Sequence, residues 1–163
     1  MKLVGLLSLD RVVSGADVAS KKRALELASQ LLASSQTDVS QSEIFDSLLG
    51  RERLGSTGLG GGVAIPHGRV AGLDQAVAAF IHLERGVDYD AIDQQPVDLV
   101  FALLVPQEAT EEHLQILASL AEAFRKDGLK EALRNAASAD ELMVLLSADT
   151  EGQLGEVCTS AIQ

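Results

Sequence analysis

Apolar positions along the chain follow a helical spacing at both ends and a strand-like spacing in the middle. "SKKRALELASQLLASS" sets Ala24, Leu25, Ala28, Leu31 and Leu32 on one helical face, with Ser20 placed to cap its start. "SQSEIFDSLLGRERLG" opens with Ser40 and Glu43 at capping-box spacing, carries Ile44, Leu48 and Leu49 on one face, and runs out near Gly55. That second helix brings Arg51 and Glu52 to the edge of a glycine-rich stretch. "GVAIPH" and "QAVAAFIHLE" then read as strands, and "PVDLVFALLVP", apolar almost throughout between Pro96 and Pro106, reads as a strand buried on both faces. Helical spacing returns in "TEEHLQILASLAEAFRK", with Leu114, Leu117, Leu120, Ala121 and Phe124 behind Thr110 as N-cap. "KEALRNA" and "SADELMVLLS" predict two more helices, the second with Ser138 and Glu141 as a capping box.

Helices before and after a central group of strands predict an α/β fold of three layers, a mixed β-sheet sandwiched between helices. The chain has 163 residues, 47% of them apolar, enough for one domain with a sizeable core, which we place at 1–147. The segment 148–163 lacks a sustained apolar period and is expected to be a flexible tail. No apolar run approaches the roughly 20 residues that span a bilayer, and the start is broken too early by Asp10 and Arg11 for a signal peptide. The expectation is a soluble, cytoplasmic protein without direct membrane insertion. A single cysteine, Cys158, permits neither an internal disulfide nor a thiolate metal cluster. The formal charge of -11 and an aromatic content of 3% speak against nucleic acid and favour a protein partner with a basic face.

The chemistry gathers in "GSTGLGGGVAIPHGRV", residues 55–70, where six glycines surround one of only three histidines. It is not a nucleotide P-loop, because Gly62 is followed by Val63 and Ala64 instead of lysine and a hydroxyl residue. Nor is it a dinucleotide fingerprint, since the sixth position counted from Gly58 is Val63. Two readings remain open: a glycine turn leading into a strand that ends at His67, or a loop whose bare N–H groups face an anion that His67 handles. In the second, His67 is the nucleophile, and the backbone of Gly58, Gly60 and Gly62 supplies donors. Thr57 then bonds a ring nitrogen or a phosphate oxygen, and Arg51 lends a planar charged fork.

His113 falls in the first turn of a helix, where an anion is favoured, and reads either as the far wall of a phosphate site or as a surface residue. His82 alternates with Phe80 and Glu84 on a strand and reads as a hydrogen-bonded structural histidine. No pair of histidines has the spacing of a helical zinc motif, so no metal is expected, and Ser56 does not sit in a nucleophile elbow.

The combination "RERLGSTGLGGGVAIPHGR", "YDAIDQQPVDLVFALLVP" and "EEHLQILASLAEAF" resembles the enzyme IIA proteins of the phosphoenolpyruvate-dependent phosphotransferase system, in the fructose and mannitol class, and within it the nitrogen-regulatory branch. The resemblance runs from about Leu6 to Leu146. It implies the three-layer α/β fold, a phosphoryl group accepted at Nε2 of His67, and His113 as second active-site histidine. It also implies Arg51 and Thr57 as contacts to phosphate or imidazole, no cofactor, and a histidine phosphocarrier protein of the nitrogen branch as donor. Regulatory target proteins would read the phosphorylation state. Where relatives often carry a polar or acidic residue this chain has Gly61, so a side-chain hydrogen bond made in some of them is missing here. Two other functions stay in view: a IIA subunit that passes phosphate to a IIB in sugar transport, and a binding module that is never phosphorylated.

Overall fold

The computed structural model describes residues 3–150. Strands β5 (Val77–Val87) and β6 (Val97–Pro106) form the middle of a six-stranded sheet; β1 (Val12–Ala16) lies at one edge beside β5, and β3 (Val63–Ala64), β4 (His67–Val70) and β2 (Gly58–Gly60) complete the sheet on the other side of β6. The sheet is mixed: β1 runs parallel to β5, β5 antiparallel to β6, β6 parallel to both β3 and β4, and β2 antiparallel to β3. Helices α1 (Lys21–Ala33) and α2 (Gln41–Glu52) cover one face; α3 (Thr110–Ala123), α4 (Asp127–Asn135) and α5 (Ala139–Thr150) cover the other. The three-layer α/β arrangement expected from the sequence is the observed one.

Alternation along β5 and β6 divides the core. Ala79, Ile81, Leu83, Val100, Ala102 and Leu104 meet Leu25, Leu32, Ile44 and Leu48 of the first helix pair. Ala78, Phe80, Leu99, Phe101 and Leu103 meet Ile116, Leu120, Leu133 and Leu142 on the other side. With both faces covered, β6 is buried along its whole length except at half-buried Asp98, which explains its continuous apolar run.

Local signals hold well for α1 and α2. Ser20 accepts from the Arg23 N–H, and Ser40 and Glu43 make both halves of a capping box. Three expectations are corrected. The stretch "GVAIPH" is two short strands, because Pro66 has no N–H to give a ladder; β3 and β4 nevertheless keep one register on β6, Val63 opposite Leu99 and His67 opposite Leu103. Thr110 is the first residue of α3 and caps nothing, the cap position being Ala109. The buried stripe of α3 is His113, Ile116, Leu120 and Ala123, so Leu114, expected inside, is 68% exposed. The helix is turned by about one residue, some 100°, and the turn carries a histidine into the interior. At the C-terminus α5 continues to Thr150, three residues past the expected domain end, and the rest of the expected tail, with Cys158, lies outside the described residues.

Candidate functional site

His67 opens β4 and His113 stands in the first turn of α3, and the fold places their rings 5.0 Å apart, edge to face at 69°. Both are buried, with 8% and 9% of their surface exposed. The His67 Nδ1 lies 2.8 Å from the carbonyl oxygen of Ile65. A carbonyl only accepts, so Nδ1 carries the proton and Nε2 the free lone pair. Burial above all holds the His67 pKa below its ordinary value, with Arg51 and Arg69 adding to the effect and the Ile65 carbonyl and Glu52 opposing it. Burial, then His67, Arg69 and Arg51, push His113 down to about 4. Both rings are therefore neutral near pH 7. The His113 Nε2 is buried without a hydrogen-bond partner among the described residues.

Arg51, in the last turn of α2, donates once, to the carbonyl of Gly55 at 2.8 Å, and has no carboxylate partner among the described residues. Arg69, two residues beyond His67 on β4, is exposed and also lacks an ion pair among them. Two guanidinium groups without a carboxylate partner among the described residues stand near two neutral imidazoles in a chain of charge -11, an arrangement suited to a doubly charged anion. Gly68 lets α2 lie close by: a Cβ there would stand 2.2 Å from Ser47 Oγ, whose hydroxyl donates to the Arg69 carbonyl.

The glycine turn is elsewhere. Val63 and His67 lie opposite Leu99 and Leu103, four residues apart on β6, which puts the hairpin tip about 13 Å or more along the sheet from the imidazole. Gly60 and Gly62 therefore do not line the site as the sequence reading expected. Their φ values of +95° and +82° serve the reversal between β2 and β3. The tip docks on Asp93, through the Gly61 N–H, and on Arg134, through the Gly61 carbonyl. Gly58 donates its N–H to Ser56 Oγ and is small because Ala91 packs against it, where a Cβ would lie 2.7 Å from the alanine's own. The Thr57 hydroxyl donates to Glu52 Oε2 and does not hold the His67 ring, since Nδ1 is already taken by Ile65.

Against protein-family models, residues 6–149 match the family described as "Phosphoenolpyruvate-dependent sugar phosphotransferase system, EIIA 2". The chain belongs to this family. Among EIIA relatives, the nitrogen regulatory protein of Pseudomonas aeruginosa is 40% identical over 94% of this chain and 99% of its own length. That of Escherichia coli K12 is 42% identical over 93% of both. The crystal structure of nitrogen regulatory protein IIA-Ntr from Neisseria meningitidis matches at 46% identity and a TM-score of 0.83, covering 88% of this chain and 98% of that one. The IIA mannitol structure from Escherichia coli matches at 27% identity and a TM-score of 0.72.

Two parts of this candidate site were not found from the sequence. Arg69 is signalled only by its i+2 spacing from His67 on one strand, which cannot be read before β4 is known. Glu52 appears in the sequence merely as the end of a helix, yet its carboxylate is buried and accepts from the Thr57 N–H at 3.1 Å, the Thr57 hydroxyl, the Tyr89 hydroxyl at 3.2 Å and Lys21 Nζ at 3.1 Å. His82 is corrected as well: its Nδ1 is buried with no hydrogen-bond partner among the described residues. No cluster of three or more His, Cys, Asp or Glu suited to a metal ion occurs among the described residues, and none of their helices is long and apolar enough to cross a membrane.

Proposed function

We propose that this EIIA protein is a regulatory phosphocarrier: Nε2 of His67 accepts a phosphoryl group from a phosphohistidine on the phosphocarrier protein of a nitrogen-branch phosphotransferase chain. The observation that carries the reading is the Nδ1–H bond to the Ile65 carbonyl, because it leaves the lone pair at Nε2 of a neutral ring. In the transfer the donor's N–P bond breaks and the His67 Nε2–P bond forms. No proton need move: the His67 proton stays on Nδ1, where the carbonyl stabilises the positive character that the ring acquires. Arg51 and Arg69 neutralise the phosphoryl oxygens, and His113, neutral and with an unpartnered ring nitrogen, offers them a further polar contact. The added group brings about two negative charges to a site that was uncharged at its centre. Target proteins, on this reading, bind the two forms differently. The names of relatives near 40% identity support the nitrogen-regulatory assignment over sugar transport.

The test is intact-mass analysis after incubation with phosphoenolpyruvate, enzyme I and the phosphocarrier protein. One acid-labile phosphoryl group should appear on the wild type and on a slowed His113→Ala variant, and none on His67→Ala. Onward transfer to a IIB would move the assignment to sugar transport. No phosphoryl group from either the nitrogen-branch or the sugar-branch donors would leave a binding module.

A further inference from the structure

The ladder between β2 and β3 is incomplete at one point, and that point adjoins His67. Gly58 faces Ala64, so Thr57 and Ile65 come next as a pair of the kind that exchanges two N–H···O bonds in an antiparallel ladder. Only one is made, from the Ile65 N–H to the Thr57 carbonyl at 3.1 Å. The other two groups of the pair have both been diverted. The Thr57 N–H donates to Glu52 Oε1 at 3.1 Å, and the Ile65 carbonyl accepts from His67 Nδ1 at 2.8 Å.

Glu52 is well suited to win that N–H. A carboxylate forms a stronger bond to a backbone N–H than a neutral carbonyl does. Its side chain is 2% exposed and is held by Lys21 at the start of α1 and by Tyr89 beyond β5, while Lys21 Nζ also stands 4.6 Å over the Tyr89 ring. The carboxylate is thus fixed by three separate segments and does not swing away.

We propose that Glu52 is a positioning residue for His67. By drawing the Thr57 N–H out of the ladder it reserves the Ile65 carbonyl for the imidazole, keeping the proton on Nδ1 and the lone pair on Nε2. Without the carboxylate the Thr57–Ile65 pair closes, the carbonyl turns into line with the Thr57 N–H, and the ring loses the bond that fixes its tautomer. The tautomer belongs to the unphosphorylated protein; its consequence for rate rests on the phosphocarrier reading above.

The experiment uses the full chain, labelled with 15N, and reads the His67 ring through two-bond proton–nitrogen correlations at neutral pH. The wild type should carry its proton on Nδ1. Glu52→Ala should move the ring to the Nε2–H tautomer or to a mixture, with phosphorylation slowed about tenfold or more. Glu52→Gln keeps an amide oxygen for the Thr57 N–H and should retain the Nδ1–H tautomer, with a rate within about threefold of wild type. If Glu52→Ala does not fold, Glu52→Asp, charged but one methylene short of Thr57, takes its place with the same expected readings. A folded Glu52→Ala or Glu52→Asp protein that keeps the wild-type tautomer overturns the proposal. If the wild type carries Nδ1–H and Glu52→Ala shifts to Nε2–H, but no phosphoryl group is accepted, the phosphocarrier reading is retired and this proposal stands.

Discussion

Replacing His113 by glutamine should take a titration out of the folded protein. Its imidazole is 9% exposed and is held down to about 4, first by burial and then by His67, Arg69 and Arg51. In the unfolded chain the same ring takes up a proton near pH 6.5. Between those values the unfolded state binds more protons than the folded one, so acid favours unfolding. The stability at stake is fully present above pH 6.5 and is lost as the pH falls toward 4. Comparing the proton uptake of the two states at pH 7 and at pH 5 gives a loss of about 2 kcal/mol from this group alone. Urea unfolding of wild type and His113→Gln at pH 7, 6 and 5 isolates it, because the carboxylates common to both proteins cancel in the difference. The variant should lose about 2 kcal/mol less than wild type over that range. Equal losses would mean that His113 titrates normally inside the fold, and the picture of two neutral rings facing each other would be wrong.

Gly68→Ala, whose Cβ would meet both Ser47 Oγ and the Ser47 backbone, should cost about 1–3 kcal/mol in urea melts and slow phosphorylation of the adjacent His67. Gly50→Ala is the opposite case: exposed inside α2 with nothing within 4 Å of the new Cβ, it should stabilise by about 0.5–1 kcal/mol, seen as a small rise in thermal midpoint. Arg134→Met removes a two-pronged ion pair with Asp98 and the bond to the Gly61 carbonyl, loosening the glycine turn. It should lower stability by about 1 kcal/mol or more while His67 phosphorylation keeps its wild-type rate; a large loss of rate would put the turn back in the site.

The sheet's middle was legible because its chemistry is one-dimensional: "PVDLVFALLVP" and "AVAAFIHLE" declare burial by content alone, and the Ser20 and Ser40 caps act within three residues. What could not be read depends on pairing across long separations. Strand β1 lies in a start too short to show a period, and it becomes a strand by joining β5 some 68 residues away, as Val12 does with Phe80. The histidine pair has the same character, for nothing local to His113 says that α3 will turn its first-turn histidine inward and leave Leu114 out. The glycines misled for a physical reason. Close backbone approach and left-handed turns call for glycine whether or not a phosphate is near, and here Gly60 and Gly62 serve a hairpin reversal, Gly58 the packing of Ala91.

The unbroken register that β3 and β4 share on β6 has a bearing on how news of a phosphoryl group can leave the protein. His67 is stitched opposite Leu103 of β6, a strand buried along nearly its whole length, with α2 pressed against the next residue. A histidine mounted there is a fixed post, and adding a group to it gives the backbone nowhere to move. On the phosphocarrier reading, the message is carried as local charge and shape on an unmoving scaffold, read by touch. Amide hydrogen exchange in β4 and β6 should accordingly be the same before and after phosphorylation, while the surface around Arg51 and Arg69 alone changes what it attracts.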